Sequence, residues 1–360
     1  MTMRQWTFIA PGTFERREVP APKIENGRQA IVRPLAVARC DLDLYIATGL
    51  APYPGPFAFG HEAVAEVVDA GEAANVQPGS RVVVPFQISC GTCVACGRGF
   101  TNSCTAVPMR SAYGLKPTCG HEWGGALSDL MLVPFADHML VKAPPNLDPV
   151  AIASAADNIP DGWRAVSEPL KQFPGANVLV VGGAAQSVGL YAAGAAVALK
   201  AGRVLYLDDD AGRRKAAAAM GATAEPLNLG ERVAKPKPLQ GASPLARLVG
   251  ATEQFEITVD ASGDPKALSF VVASTAPNGI CTSVAIYFGE TTPMPLLRMY
   301  GKGIVFHTGR VQARPHLPAV LQACAEGHFH PEHVTARVVK FADAPDAMTD
   351  PSAKIVFVPD

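Results

Sequence analysis

Residues 175–199, GANVLVVGGAAQSVGLYAAGAAVAL, carry no charged side chain. An uncharged run of this length either crosses a membrane or lies inside a folded protein. Gly182-Gly183 decides between the two. The β-branched half before the glycines suits a strand, the Ala-rich half after them suits a helix, and the glycines permit the tight turn between. The run is therefore expected to be a buried strand–turn–helix, and no membrane is expected as a partner. The alternation continues downstream. RVLYLDDD reads as a strand, AGRRKAAAAMGA as a helix ending at Gly221, and FEITVDASG as a strand. A helix follows from Pro265, then strands in GICTSVAIY and GIVFHTG. Such alternation implies a parallel sheet with helices on both faces. Residues 228–254 are expected to hold one short strand or helix.

Up to about residue 155 the texture differs. Short valine-rich runs such as QAIVRPLAV, EAVAEVVDA and SRVVVPF stand between proline-rich turn signals, which reads as a β-rich, loop-rich domain. The tail from about 310 ends in AKIVFVPD, expected as a strand that rejoins this first domain. A length of 360 residues suits about two domains, and 48% hydrophobic residues supply their cores. A net charge of −1 points to neither a nucleic-acid partner nor an anionic membrane surface. The N-terminus MTMRQWTFIAPGTFERREV lacks the apolar run of a secretory signal. Eight cysteines in a chain of this length do not resemble a small secreted disulfide scaffold, so a reducing, cytoplasmic setting is expected.

Four of those cysteines form SCGTCVACGRGFTNSC, with Cys90, Cys93, Cys96 and Cys104 spaced C-x2-C-x2-C-x7-C. A short glycine-containing loop of this kind can wrap four thiolates around Zn²⁺. An iron–sulfur cluster is the competing occupant of closely spaced cysteines. The closed four-sulfur set favours a structural zinc, which stabilises the fold and leaves no open coordination position.

GHE occurs twice, at 60–62 and 120–122. A catalytic zinc needs three protein ligands and one free position. For the first copy, Cys40 in ARCDLDLY lies upstream and Asp157 in ADNIPDGW downstream. Cys40, His61 and Asp157 would make a sulfur, nitrogen and oxygen set, with Glu62 beside the metal or replacing Asp157 on it. The second copy, with Cys119 and two following glycines, reads as a turn entering a strand.

In this order along the chain, C-x2-D at 40–43, GHE at 60–62, the quartet, D-x4-GW at 157–163, the glycine turn and Asp208 resemble a zinc-dependent alcohol dehydrogenase of the medium-chain dehydrogenase/reductase family. The resemblance implies an α/β fold: a GroES-like β-rich catalytic domain over 1–156 and 310–360, and a Rossmann doubly wound NAD-binding domain over 157–309. It also implies two zinc ions per chain, hydride transfer at a zinc in the cleft between the domains, and a homodimer or homotetramer. Asp43 matches the position that hydrogen-bonds the ligand histidine and so fixes its tautomer.

VVGGAAQSVG departs from a clean G-x-G-x-x-G, with Ala184 and Gln186 where glycines are usual. Its position between strand and helix still makes Gly182, Gly183, Gln186, Ser187, Val188 and Gly189 the candidate pyrophosphate turn. Asp208 would accept from the adenosine ribose hydroxyls and repel a 2′-phosphate, by roughly 4 kcal/mol at about 4 Å and an effective dielectric near 20. NAD is thus expected over NADP, with Arg213 and Arg214 partly offsetting the charge. His307 and Arg310 in FHTGR are candidate coenzyme or substrate neighbours.

Leu42 stands where the family carries the Ser or Thr that relays the alcohol proton, and leucine has neither donor nor acceptor. Tyr45 stands where a histidine often ends the relay. Two reactions remain open. One is NAD(H)-linked alcohol, aldehyde or ketone chemistry with another proton route; the other is reduction of C=N or activated C=C bonds. A non-catalytic dinucleotide-binding protein is a third reading, against which the open zinc set argues. HFHPEHV, with His328, His330 and His333, is expected to be a solvated loop.

Overall fold

Continuous apolar runs belong in strands buried on both faces, and alternating ones in sheets with one wet face. Both units of the chain contain strands of the first kind, such as Ala30–Ala38 and Glu62–Ala70 in one and Val178–Val181 and Val204–Leu207 in the other. The computed structural model describes residues 1–232 and 253–360. Met1–Pro160 and Val311–Asp360 form one unit and Asp161–Arg310 the other.

The first unit contains β1 (Thr2–Ala10), β2 (Thr13–Pro20), β3 (Ala30–Ala38), β4 (Phe57–Ala58), β5 (Glu62–Ala70), β6 (Arg81–Val84), β7 (Met131–Val133) and β8 (Val141–Lys142). The second contains β9 (Val178–Val181), β10 (Val204–Leu207), β11 (Thr223–Glu225), β12 (Phe255–Asp260), β13 (Thr275–Ser283) and β14 (Val305–Thr308). The chain then returns to the first unit with β15 (Arg337–Lys340) and β16 (Ile355–Val358).

In the first unit β2, β1 and β4 make a small sheet, and a larger one runs β15-β16-β3-β5-β6-β8 with β7 also on β3. The apolar run of AKIVFVPD joins this sheet as β16, antiparallel to β3 and parallel to β15. Ala38 is the register point, opposite Glu62 of β5 on one side and Val356 of β16 on the other. Buried Arg39 holds the approach to β16: its guanidinium donates to the carbonyls of Ala347, Met348, Asp350 and Ser352.

The second unit is a six-stranded parallel sheet, β11-β10-β9-β12-β13-β14. All four residues of β9 are buried, as are Ser187–Ala196 of the helix Gln186–Ala198. Interior burial thus accounts for the uncharged run. Strand order reverses between β9 and β12, which opens a crevice at their C-terminal ends. The α/β class expected from the alternation is the one that forms. GICTSVAIY differs in detail: β13 starts earlier, at Thr275, and ends at Ser283, and Tyr287 beyond it donates to the Asp260 carboxylate. Of the element expected within 228–254, a turn of helix covers Leu229–Arg232, and residues 233–252 lie outside the described residues.

Gly162, in the helix Asn158–Gln172, lets that helix approach Gln186–Ala198 closely. A Cβ at 162 would sit 2.6 Å from Ala192 N and 2.8 Å from the carbonyl carbon of Tyr191. Backbone atoms cannot yield as a side-chain tip does, so Gly162→Ala is expected to destabilise by about 1–3 kcal/mol. Urea denaturation would show this as a lowered midpoint; an unchanged midpoint would mean the two helices separate freely.

Candidate metal centres and coenzyme turn

β3 delivers Cys40 just past its end, ahead of the helix Asp41–Ala47, and β5 begins at Glu62, which places His61 beside it. Asp157 follows the short helical turn Ala153–Ala156. The four side chains are buried, and one ligand atom from each lies within 4.8 Å of the others. His61 Nε2 and Cys40 Sγ each stand 3.4 Å from Asp157 Oδ2. Ligands bound tetrahedrally to zinc at about 2.0–2.3 Å are themselves about 3.3–3.8 Å apart, so this spacing suits one small cation. His61 Nδ1 points the other way, 3.4 Å from Asp43 Oδ1. That is an ion-pair distance rather than a formed hydrogen bond, and both atoms otherwise lack a partner among the described residues. The second oxygen of Asp43 accepts from Cys40 N at 3.0 Å, which ties the histidine's neighbour to the cysteine's backbone.

The electrostatics also suit a cation. Burial pushes Cys40 well above the ordinary thiol range, with Asp157 and Glu62 adding to it. Burial likewise raises Asp43, and lifts Glu62 to about 8 against the pull of Lys354. For His61 burial works downward, but Asp43, Asp157 and Glu62 outweigh it and bring the imidazole to about 9. Acids crowded like this resist ionising together, and a divalent cation relieves that conflict.

Two participants had escaped the sequence reading. Lys354, wholly buried just ahead of β16, donates to Arg39 O and Asn158 Oδ1, both at 2.7 Å, and stands 3.4 Å from Glu62 Oε1. Asn158 passes the contact on, its Nδ2 reaching Cys40 Sγ at 3.3 Å and Asp157 Oδ2 at 3.1 Å. A lysine before an apolar strand ordinarily reads as a solvated strand end. Only its burial marks it out. Leu42 and Tyr45, on the helix Asp41–Ala47, pack half-buried against the core of the first unit.

Cys90, Cys93, Cys96 and Cys104 also bring their sulfurs within 4.8 Å of one another. Backbone N–H groups already address them: Cys93 N to Cys90 Sγ at 3.4 Å, Cys96 N to Cys93 Sγ at 3.5 Å, and Cys90 N to Cys104 Sγ at 3.4 Å. Such donors favour thiolates, and those from Thr105 and Cys96 bring Cys93 down to about 5. Arg28 fastens the loop, donating to Cys90 O at 2.7 Å while paired with Asp137. All eight cysteines are free thiols.

The second GHE is a surface turn. His121 and Glu122 are exposed, the imidazole lies on Trp123, and Glu122 accepts from the backbone of Ala58 and Gly124. It does not lead directly into a strand, since β7 begins only at Met131. His328 and His330 are exposed, with Nδ1 3.3 Å from Glu326 Oε2 and 3.0 Å from Glu332 Oε1 respectively.

In the second unit the glycine turn follows β9 at the strand-order reversal. A Cβ on Gly182 would fall 2.2 Å from Asp208 Oδ2 and 2.4 Å from the Tyr206 hydroxyl, so the turn lies directly on the carboxylate. Gly183 has φ 155°, and Ala184 N and Ala185 N donate to Ser262 O and Ala261 O. Ser187, Val188 and Gly189 are buried in the following helix, and the buried Gln186 Oε1 has no hydrogen-bond partner among the described residues. A backbone cradle free of side chains at a helix start, with a carboxylate at the next strand end, fits a dinucleotide. Arg213 pairs with Asp208 at 2.7 Å. His307 and Arg310 are exposed on and just after β14, with β12 and β13 between that strand and β9.

Comparison with known proteins gives the same picture. The model of the alcohol dehydrogenase GroES-like domain matches residues 26–145. Zinc-type alcohol dehydrogenase B of Aspergillus flavus is 29% identical over 332 residues, covering 89% of this chain and 72% of its own. The geraniol dehydrogenase of Castellaniella defragrans is 27% identical over 349 residues, covering 89% and 90%. Among solved structures, alcohol dehydrogenase TADH from Thermus sp. ATN1 superposes with a TM-score of 0.84 at 29% identity, over 99% of this chain and 100% of that one. With its GroES-like segment, Rossmann-type sheet and two clusters of side chains that could hold a metal, the chain is similar along its length to medium-chain dehydrogenases and is an enzyme of the zinc-dependent alcohol dehydrogenase type.

Proposed function

We propose that the protein transfers hydride between NAD(H) and an alcohol with its aldehyde or ketone, at a zinc held by Cys40, His61 and Asp157. The observation that carries this reading is the buried convergence of those side chains with Glu62 in a chain of this family. Held there, zinc would supply Lewis-acid polarisation of the substrate oxygen, and NAD(H) would carry the hydride. The protein's own groups do the rest. Asp43, facing Nδ1, orients the His61 ring so that Nε2 is the ligand atom. Glu62 stands beside the set with one oxygen unpaired, near enough to take a position on the metal. Lys354 offsets the carboxylates and, through Asn158, positions Cys40 and Asp157. Leu42 carries no proton, so the proton leaves by water, Glu62 or another hydroxyl. Reduction of C=N or C=C bonds is not adopted, because two relatives that each cover 89% of the chain are named as an alcohol dehydrogenase and a geraniol dehydrogenase.

The quartet is proposed as the site of a second, structural zinc, with Asp208 favouring NAD(H) over NADP(H). A homo-oligomer joined through the second unit is also proposed. Its support is the outer strand β14, whose far edge pairs with no strand among the described residues, flanked by exposed Leu296, Leu297 and Tyr300. Eight free thiols suit the cytoplasm.

Purified protein should consume NADH with aldehydes or ketones, followed by absorbance; turnover of imines or enones alone would replace the reading. Metal analysis should find zinc at both clusters. Asp157→Ala is expected to lose the zinc of the Cys40 cluster together with carbonyl turnover, while the quartet keeps its own. Full retention of both ions would show that Asp157 is not a ligand.

Lys354→Met should loosen zinc at the first cluster by about 10–100-fold, measured by chelator competition, as removal of a positioning partner typically does. Lys354→Arg, which keeps the charge, should recover part of the loss. Equal zinc affinity in the Met variant and the parent would mean that the lysine serves only the fold.

A further inference from the structure

Asp208 closes β10, and its carboxylate already has a full set of donors. Oδ1 accepts from Asp210 N at 2.8 Å and Arg213 Nη2 at 2.7 Å; Oδ2 accepts from the Tyr206 hydroxyl at 2.8 Å and Arg213 Nε at 2.7 Å. A carboxylate offers about four lone-pair sites, so a ribose hydroxyl finds none open. Two of the donors are fixed, one a peptide N–H and the other a phenol with no exposed surface. Arg213 is different. Its side chain keeps 18% exposure against 2% for Asp208, and it can leave by rotating about its own bonds.

We propose that Arg213 sets coenzyme choice: it yields Asp208 to the ribose hydroxyls of NAD(H) and turns its fork to the 2′-phosphate of NADP(H), so that NAD(H) is preferred only modestly and both are accepted. The inference rests on the coenzyme assignment made above. A planar guanidinium matches a phosphate with two parallel hydrogen bonds, a geometry that lysine does not offer. The surrounding charge supports a small residual preference. Asp208, Asp209 and Asp210 share a short stretch of chain with Arg213 and Arg214, three carboxylates against two guanidiniums. Asp209 accepts from Asn228 N, Asp210 from Arg213 N, and Arg214 donates to Asp208 O, so the others are held by the backbone. Without Arg213, a bare carboxylate beside the phosphate disfavours it by on the order of 10³-fold.

Calorimetry on the whole protein with ADP-ribose and with 2′-phospho-ADP-ribose tests this without turnover. The parent should bind both, with ADP-ribose ahead by about tenfold, a difference of about 1.4 kcal/mol. Arg213→Met should bind ADP-ribose more tightly and widen the ratio by about 10²-fold, the bulk of the bare-carboxylate penalty. Arg213→Lys, retaining charge without the fork, should fall between. If the Met variant does not fold, the Lys variant carries the test, and its ratio must exceed the parent's. An unchanged ratio in the folded variants overturns the role of Arg213 while leaving the coenzyme assignment intact. A parent that binds neither fragment overturns both.

Discussion

Strand register at Ala38 is the constraint on which the first unit's chemistry depends. Ala38 pairs with Glu62 and with Val356, so the same point in the sheet brings Cys40, His61, Glu62 and Lys354 within reach of one another. Slipping either pairing by one residue would turn each side chain to the opposite face. The acids that meet there cannot all hold charge away from water without positive partners, and Lys354 is the fixed one. Arg39 secures it indirectly: four backbone carbonyls between Ala347 and Ser352 are bound by one buried guanidinium, just before the lysine.

The second unit follows a different logic. A dinucleotide would meet it at a turn whose backbone carries few side chains. Gly182 sits so close to Asp208 and Tyr206 that the turn and the next strand end form one surface. Ala184, one of the two residues that break the usual glycine pattern, is accommodated together with its neighbour. Ala184 and Ala185 use their N–H groups to tie the turn to Ser262 and Ala261, which makes the backbone path depend on β12 as much as on the motif.

Features built from neighbours in sequence could be read from the sequence. The uncharged run showed a buried strand and helix because interior burial forbids charge, and the quartet showed itself because a short loop carries all four sulfurs. The first metal cluster required the order of several motifs and a resemblance, since Asp157 lies 117 residues from Cys40. Lys354 was beyond reach, standing 292 residues from Glu62 at the start of a strand whose apolar pattern says nothing about the residue before it. Arg213 was visible as a nearby charge, but which way its side chain turns is decided by the helix Ala211–Ala219, which starts on Asp210. The duplicated GHE shows the same limit from the other side: identical tripeptides occupy a buried strand start and an exposed turn.

Because the first unit is assembled from both ends of the chain, its chemistry is finished late in biosynthesis. Every residue of the second unit emerges from the ribosome before Lys354 does. Units tend to fold as they appear. The nascent chain therefore passes through a stage in which the coenzyme turn can already exist while Cys40 and Glu62 still await β16. Until that last strand inserts, their thiol and carboxylate remain open to oxidants and stray ions from which the mature enzyme shields them.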